Sequence, residues 1–122
     1  MTNTLLSATD IAQQFSHLET IGRVSGKVHT VELGFAVDED ASRIYLVSGR
    51  QDRSDWYRNV RANGAVRFQI GDGPWMTGTA RLVTDEREII QIRLEVADKY
   101  RHFAGSTDWI FMAMPVVIDL TE

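Results

Sequence analysis

The sequence predicts an α+β fold in which a small antiparallel barrel is decorated by helices. Two observations support this prediction. Segments whose apolar residues alternate with a period of two are interspersed with segments of helical period, and short turns join neighbouring strand candidates as in hairpins. The length of 122 residues suits a single domain over residues 1–122 and suffices for one core without cross-links.

The first predicted element is a short helix over residues 9–17. Ser7 and Asp10 form a Ser-x-x-Asp capping box at its start. Apolar residues then recur at helical spacing, at Ile11, Phe15 and Leu18.

A hairpin is predicted next. In residues 28–37 one face of a strand is formed by His29, Val31, Leu33, Phe35 and Val37. A turn at residues 38–40 leads into a second strand over Arg43–Ser48.

A second helix is predicted over Asp55–Ala62. Ser54 is its expected N-terminal cap. Asn63 and Gly64 are expected to end it, because both tolerate left-handed backbone angles.

The C-terminal half is predicted to contain another hairpin, a helix and a last strand. The inward residues of the first strand are Val66, Phe68 and Ile70. A turn at residues 71–74 leads into a long strand over residues 75–83. Thr84 is the expected cap of the last helix. The apolar stripe of that helix is formed by Ile89, Ile92, Val96 and Tyr100. Residues 115–120 form the final strand.

The composition excludes several classes of function. A net charge of −4 is unfavourable for nonspecific nucleic-acid binding. The absence of cysteine excludes disulfides and thiol nucleophiles and fits a reducing cytoplasm. No apolar run approaches the ~20 residues of a transmembrane helix, and the N-terminus lacks a secretory pattern. His17, His29 and His102 lack metal-ligand spacing. We therefore expect a cytoplasmic protein with no nucleic-acid partner, no transmembrane segment and no metal site.

Two segments are candidates for binding a ligand. Residues 22–29 combine glycines with basic side chains, a pattern that lets backbone amides and cations approach an anion. Residues 48–57 place basic groups between a strand and a helix N-terminus, where an anion is favoured, and aromatic residues that can wall a flat ligand. Each segment also has a purely structural interpretation. Residues 22–29 would then be an ordinary basic turn, and Trp56 would be a core residue with solvated arginines around it. Near the end of the last helix, Tyr100, His102 and Phe103 form an aromatic cluster that helix packing also explains.

Taken together, these segments resemble the deazaflavin-dependent nitroreductase family, within the flavin/deazaflavin oxidoreductase superfamily. The similarity lies in TIGRVSGKVHTVELGF at residues 20–35, IYLVS at 44–48, DWYRNVRAN at 55–63, ADKY at 97–100 and PVV at 115–117. The resemblance implies an FMN-binding split-barrel-like fold, a split β-barrel of about six antiparallel strands with three flanking helices.

The resemblance also implies a function. Coenzyme F-420 (8-hydroxy-5-deazaflavin) would transfer a hydride to a quinone-like, nitro or other activated unsaturated acceptor, and the protein would bind and orient the reactants. The implied cofactor-binding residues are Arg23, Ser25, Gly26, Lys27, His29, Ser48, Arg50, Trp56 and Tyr57. Tyr100 is the candidate catalytic residue, which would orient the acceptor or donate a proton.

The sequence departs from the family at three cations. Val24 stands where the best-known members have a basic residue, His29 where they have arginine, and Gly49 where they have lysine. Each lost cation removes a charge-assisted contact to phosphate. These departures leave open FMN as the cofactor, or a non-catalytic carrier of a flavin, haem or lipid. A homodimer is also possible for such a barrel.

Overall fold

The computed structural model describes residues 6–38, 40, 42–103 and 105–121. The strands in these residues are β1 (Ser16–Ile21), β2 (Val28–Leu33), β3 (Ala36–Val37), β4 (Arg43–Ser48), β5 (Ala65–Ile70), β6 (Trp75–Leu82) and β7 (Met114–Leu120). They form one sheet in the order β2-β1-β5-β6-β7-β4-β3. Every pairing in this sheet is antiparallel. The sheet has one strand more than the six or so predicted.

Three α-helices flank the sheet in the described part of the chain. They are α1 (Ala8–Ile11), α2 (Asp55–Ala62) and α3 (Glu86–Tyr100), and 3-10 helices lie at Gln51–Arg53 and Asp108–Met112. α3 packs on the outer face of β4 and β7, whereas α2 packs against β1 and β6.

The two edge strands of the sheet are neighbours in the chain. Only Gly34 and Phe35 separate β2 from β3, and a link this short spans no more than about 10 Å. The two edges therefore lie close together, and the sheet curls into a split barrel. The predicted α+β antiparallel barrel with three helices is confirmed.

Strand β4 is buried on both faces. Ile44 and Leu46 point into the barrel core. Tyr45 and Val47 alternate with them and pack outward in a second core with Ile92 of α3. A strand between two apolar layers needs a continuous apolar run, which is why this segment was recognisable in the sequence.

The predicted first helix is wrong in extent. α1 ends at Ile11, although the predicted capping box is present: Asp10 N–H donates to Ser7 Oγ, and Ser7 N–H donates to the Asp10 carboxylate, each at 3.0 Å. From Ser16 onward the chain belongs to β1, which pairs with β2 on one side and β5 on the other. Two hydrogen-bonded ladders outweigh a weak helical spacing of apolar residues.

The predicted first hairpin is wrong over most of its length. Only the short β3 pairs with β4, whereas β2 pairs with β1. The strand predicted over residues 28–37 is interrupted at Gly34, where a Cβ atom would lie 2.9 Å from Tyr100 Oη. At this interruption the Phe35 N–H donates to the Tyr100 hydroxyl at 2.8 Å and not to a neighbouring strand.

The remaining elements follow the prediction. β4 and α2 have the predicted bounds, and β6 and β7 differ from residues 75–83 and 115–120 by one residue each. The three residues of β5 that were predicted to point inward are buried: Val66, Phe68 and Ile70.

Helix ends deviate in detail. α3 is capped by Asp85, whose carboxylate accepts the N–H of Glu88, and not by Thr84. Ser54 occupies the cap position of α2, but its side chain makes no capping hydrogen bond. Asn63 ends α2 in an extended conformation, with φ −151°, instead of the left-handed one.

Candidate active site

A cleft of about 710 Å³ opens between β2, the start of α2 and the segment around the second 3-10 helix. This volume lies within the range of roughly 300–1,000 Å³ that is usual for small-molecule sites. Aromatic and basic side chains from several segments line it: Phe15, His29, Arg50, Trp56, Tyr100, Phe103 and Trp109. The cleft thus brings together residues that are distant in the sequence.

A smaller recess of about 260 Å³ adjoins the cleft. The recess is lined by Arg23 and Ser25 of the basic turn, and it shares His29, Asp55 and Asn59 with the cleft. His29 borders both spaces, so the basic turn lies next to the aromatic walls of the cleft.

The turn over residues 22–27 is tight. Gly22 N–H donates to the Lys27 carbonyl at 2.7 Å, and Gly26 N–H donates to the Gly22 carbonyl at 2.9 Å. Gly26 has φ +71°, a left-handed conformation that favours glycine. Ser25 Oγ accepts the Lys27 N–H at 3.1 Å and lies 3.5 Å from His29 Nε2. The serine hydroxyl therefore stabilises the turn beside the recess.

Arg23 anchors this turn to α2. Its guanidinium donates to Asn59 Oδ1 at 2.7 Å and to Asp55 Oδ1 at 3.1 Å, and its backbone N–H donates to the same Asn59 oxygen at 3.2 Å. The Asn59 amide in turn donates to Thr20 Oγ1 of β1 at 3.2 Å, and both of these residues are buried. The arginine is therefore already paired with a carboxylate of the protein.

Arg50 is the cation that faces the cleft without such a partner. Within the described residues its side chain forms no ion pair, and it lines the cleft. Lys27 likewise has no ion pair there, but it lies outside the cleft and the recess. Arg50 is thus the side chain best placed for an anionic group of a ligand in the cleft.

Two serine hydroxyls support the loop that carries Arg50. Ser48 Oγ, which is buried, donates to the Gln51 carbonyl at 2.7 Å and lies 2.6 Å from Ser54 Oγ. Gln51 has φ +58°, a conformation uncommon for residues with a side chain. Ser48 does not line the cleft, so its contacts hold the backbone behind Arg50.

Trp56 belongs to both the core and the cleft. It is only 8% exposed and joins the barrel core, yet one part of it lines the cleft. Tyr57 packs edge to face on it, with ring centroids 6.2 Å apart, but lies in the core and not in the cleft. Burial raises the pKa of Tyr57 above its ordinary value, against an opposing effect of nearby Arg61.

The Tyr100 ring lines the cleft, but its hydroxyl is bonded to the backbone. The oxygen accepts the Phe35 N–H at 2.8 Å and donates to the Gln14 carbonyl at 2.5 Å. Burial raises the pKa of Tyr100, and the hydrogen bond from Phe35 opposes that shift. The catalytic role of Tyr100 stays a prediction, and this geometry favours a positioning role for its hydroxyl.

Two aromatic residues of the cleft, Phe15 and Trp109, were not among the predicted site residues. Phe15 was placed at helical spacing in the predicted first helix, but it lies outside α1, is 47% exposed and borders the cleft. Trp109, in a segment without a predicted element, is 50% exposed and lines the cleft as well. No local signal marked either one, because each becomes a wall only when distant segments meet. The described residues contain no cluster of potential metal ligands.

The fold and the site define a class of protein: a split barrel with a ligand cleft whose walls are aromatic and whose edge is basic. The sequence model of the F420H(2)-dependent quinone reductase family matches residues 6–121. The chain belongs to this family, so it is an oxidoreductase that depends on the deazaflavin coenzyme F420. The family resemblance predicted from the motifs is confirmed, and the deazaflavin is favoured over FMN.

Solved structures share the fold. An F420-H2 dependent reductase is 22% identical with a TM-score of 0.60, covering 97% of this chain and all 100% of its own. A conserved hypothetical protein from Mycobacterium tuberculosis is 20% identical with a TM-score of 0.74, over 97% of this chain and 82% of its own. A candidate 5-nitroimidazole antibiotic resistance protein from Bacteroides thetaiotaomicron is 11% identical with a TM-score of 0.71, and the match covers 97% of this chain and 82% of that protein. No curated protein sequence matches this chain. Among the described residues, no helix has the length and apolar character needed to cross a bilayer.

Proposed function

We propose that this oxidoreductase reduces quinone-like or nitro-bearing acceptors in the cleft with a hydride that the bound deazaflavin supplies. The observation that carries the proposal is that a single cleft joins an unpaired cation, Arg50, to aromatic walls. A flat conjugated ring with a phosphate-bearing tail needs both features. Family membership supports the coenzyme, and the cleft chemistry supports the flat acceptor.

Different residues around the cleft would bind the anionic tail and the ring of the coenzyme. Arg50 and His29 would hold the anionic tail where the cleft meets the recess. The turn that includes Ser25, Gly26 and Lys27 would border that tail, and Arg23 would fix the turn on α2. Trp56 would wall the ring, while Ser48 and Tyr57 support the loop and the helix behind it.

The proton for the reaction would come from solvent. Reduction of a quinone to a hydroquinone takes one hydride and one proton. The Tyr100 hydroxyl donates its own proton to the Gln14 carbonyl, so it is not free to protonate an acceptor without breaking that contact. The cleft is open to water, which serves as the proton source in this proposal.

The proposal is tested by binding and turnover measured on the same preparation. Coenzyme F420 and FMN are titrated side by side while tryptophan fluorescence is followed, and oxidation of reduced F420 is then recorded with a naphthoquinone and with a nitroaromatic compound. We expect F420 to bind at least about tenfold more tightly than FMN and at least one acceptor to be reduced. Tighter binding of FMN, or no turnover with either acceptor class, would overturn the proposal.

A further inference from the structure

The indole of Trp109 packs directly against the backbone of Gly49. A Cβ atom built at position 49 would lie 3.0 Å from Cε3 and 3.3 Å from Cζ3 of the indole, which is closer than most side chains tolerate. Glycine at position 49 therefore allows the tryptophan to approach the loop that follows β4.

Other contacts hold the 3-10 helix that carries the tryptophan. Ile110, the next residue, is fully buried, and its N–H donates to the Thr107 carbonyl at 3.0 Å. Gln51 Nε2 donates to the Met112 carbonyl at 2.9 Å, which ties the same 3-10 helix to the loop that carries Gly49 and Arg50. The helix is thus anchored in the core by Ile110 and attached to the loop by Gln51.

Trp109 nevertheless remains 50% exposed, and it is one of the residues that line the cleft. Phe111 and Met112 on the same 3-10 helix are similarly exposed, 45% and 67%, but neither lines the cleft. Single exposed apolar residues are ordinary on protein surfaces. What separates Trp109 from them is that it is both fixed by its neighbours and directed at the ligand space.

We propose that Trp109, seated on Gly49, is a specificity-determining residue that binds the flat conjugated ring of a ligand in the cleft. This inference rests on the proposed function. The ring has two possible sources, the coenzyme and the acceptor, and their shared chemistry is a planar π-system that an indole face contacts favourably. A rigid aromatic wall adds affinity at low entropic cost, because the side chain is already held before the ligand arrives.

The test compares Trp109→Leu with Phe111→Leu, a matched change on the same 3-10 helix outside the cleft. For each variant the Kd of F420 and the KM of a naphthoquinone are measured, together with the melting temperature. We expect Trp109→Leu to raise one of the two constants by about three- to tenfold, the range of one aromatic contact, and Phe111→Leu to change neither. A raised Kd identifies the coenzyme as the source of the ring, and a raised KM identifies the acceptor.

A second variant moves the indole without removing it. Gly49→Leu places a side chain where the indole packs, so it should raise the same constant as Trp109→Leu. If both constants stay within twofold of wild type in Trp109→Leu, the inference is overturned, whatever happens to the melting temperature. Failure of the proposed function would show differently, as missing F420 binding or turnover in the wild-type protein.

Discussion

The hydroxyl oxygen of Tyr100, at the end of α3, accepts a hydrogen bond from the backbone N–H of Phe35 at 2.8 Å. Phe35 lies in the two-residue link between the edge strands β2 and β3. The same hydroxyl donates to the Gln14 carbonyl, and Gly34 leaves room for it. One side chain therefore holds three segments together at the split of the barrel and beside the cleft.

Removing the Tyr100 hydroxyl should lower the stability of the fold and leave kcat nearly unchanged. Tyr100→Phe leaves the part-buried Phe35 N–H without its acceptor, so we expect the free energy of unfolding to fall by about 1–3 kcal/mol. Urea denaturation measures this loss, and steady-state kinetics should show kcat within a few-fold of wild type. A loss of kcat of a hundredfold or more in a folded Tyr100→Phe protein would instead support the catalytic role predicted from the sequence.

The unpaired cation in the cleft should matter for coenzyme binding. Arg50→Ala removes a charge-assisted contact worth roughly 1.5–3 kcal/mol, so the Kd of F420 should rise at least about tenfold. Arg53→Ala is the control, because Arg53 lies in the adjoining 3-10 helix but does not line the cleft. Equal effects of the two substitutions would mean that only the general charge of the loop matters.

Substitutions of Arg23 and of its carboxylate partner Asp55 should change coenzyme binding in opposite directions. Arg23→Ala frees the turn from α2, and we expect weaker F420 binding together with a lower melting temperature. Asp55→Asn removes a negative charge that lies 3.1 Å from the Arg23 guanidinium and that lines the cleft. Binding of the phosphate-bearing coenzyme should therefore become tighter.

Isothermal titration at low salt measures the effects of both substitutions. Weaker binding by Asp55→Asn would contradict the placement of phosphate at this turn.

Lys99 makes stability depend on pH. Its Nζ is buried without a hydrogen-bond partner in the described residues and lies 3.5 Å from the centre of the Phe35 ring. The ring face favours the ammonium form, but burial prevails and lowers the pKa of Lys99 from 10.5 to about 8. Between these two pH values the unfolded chain binds more protons than the folded one, so this lysine makes the protein more stable as pH rises.

Substitution isolates this contribution. Lys99→Met removes the cost of burying a charge, so the variant should be more stable than wild type at pH 7, and the difference should shrink as pH rises from about 8 to 10.5. Chemical denaturation of both proteins across this range measures the difference and cancels the other titrating groups. A difference that is constant with pH would show that Lys99 keeps its charge in the fold.

Substitutions at Trp56 should affect both the fluorescence quench caused by F420 and the stability of the core. Trp56→Phe keeps most of the packing, and we expect it to remove the share of the F420-induced fluorescence quench that comes from Trp56 and not from Trp109, which also lines the cleft. Trp56→Ala opens a cavity in the barrel core and should cost roughly 3–5 kcal/mol of stability. Trp75→Phe, outside the cleft, is the control for the quench. If the quench persists in full in Trp56→Phe, Trp56 serves the core alone.

Local patterns were sufficient for much of the fold. The buried run of β4 and the apolar face and flanking residues of α2 predicted both elements with their bounds. They also predicted the second hairpin and the stripe of α3, because each depends on residues a few positions apart. The ordered motifs identified the family, which the match over residues 6–121 confirms.

Tertiary structure decided what depends on distant partners. Ser16–Ile21 became a strand because two neighbouring strands offered it hydrogen bonds. The strand pattern after Val28 is interrupted at Gly34 and Phe35, where the Phe35 N–H donates to the distant Tyr100 hydroxyl. The same holds for the site. Sequence alone indicated a basic turn and a tryptophan, whereas the pairing of Arg23 with Asp55 and the seat of Trp109 on Gly49 exist only once the chain is folded. Motifs record local chemistry, but contacts between residues far apart in the chain are fixed by packing.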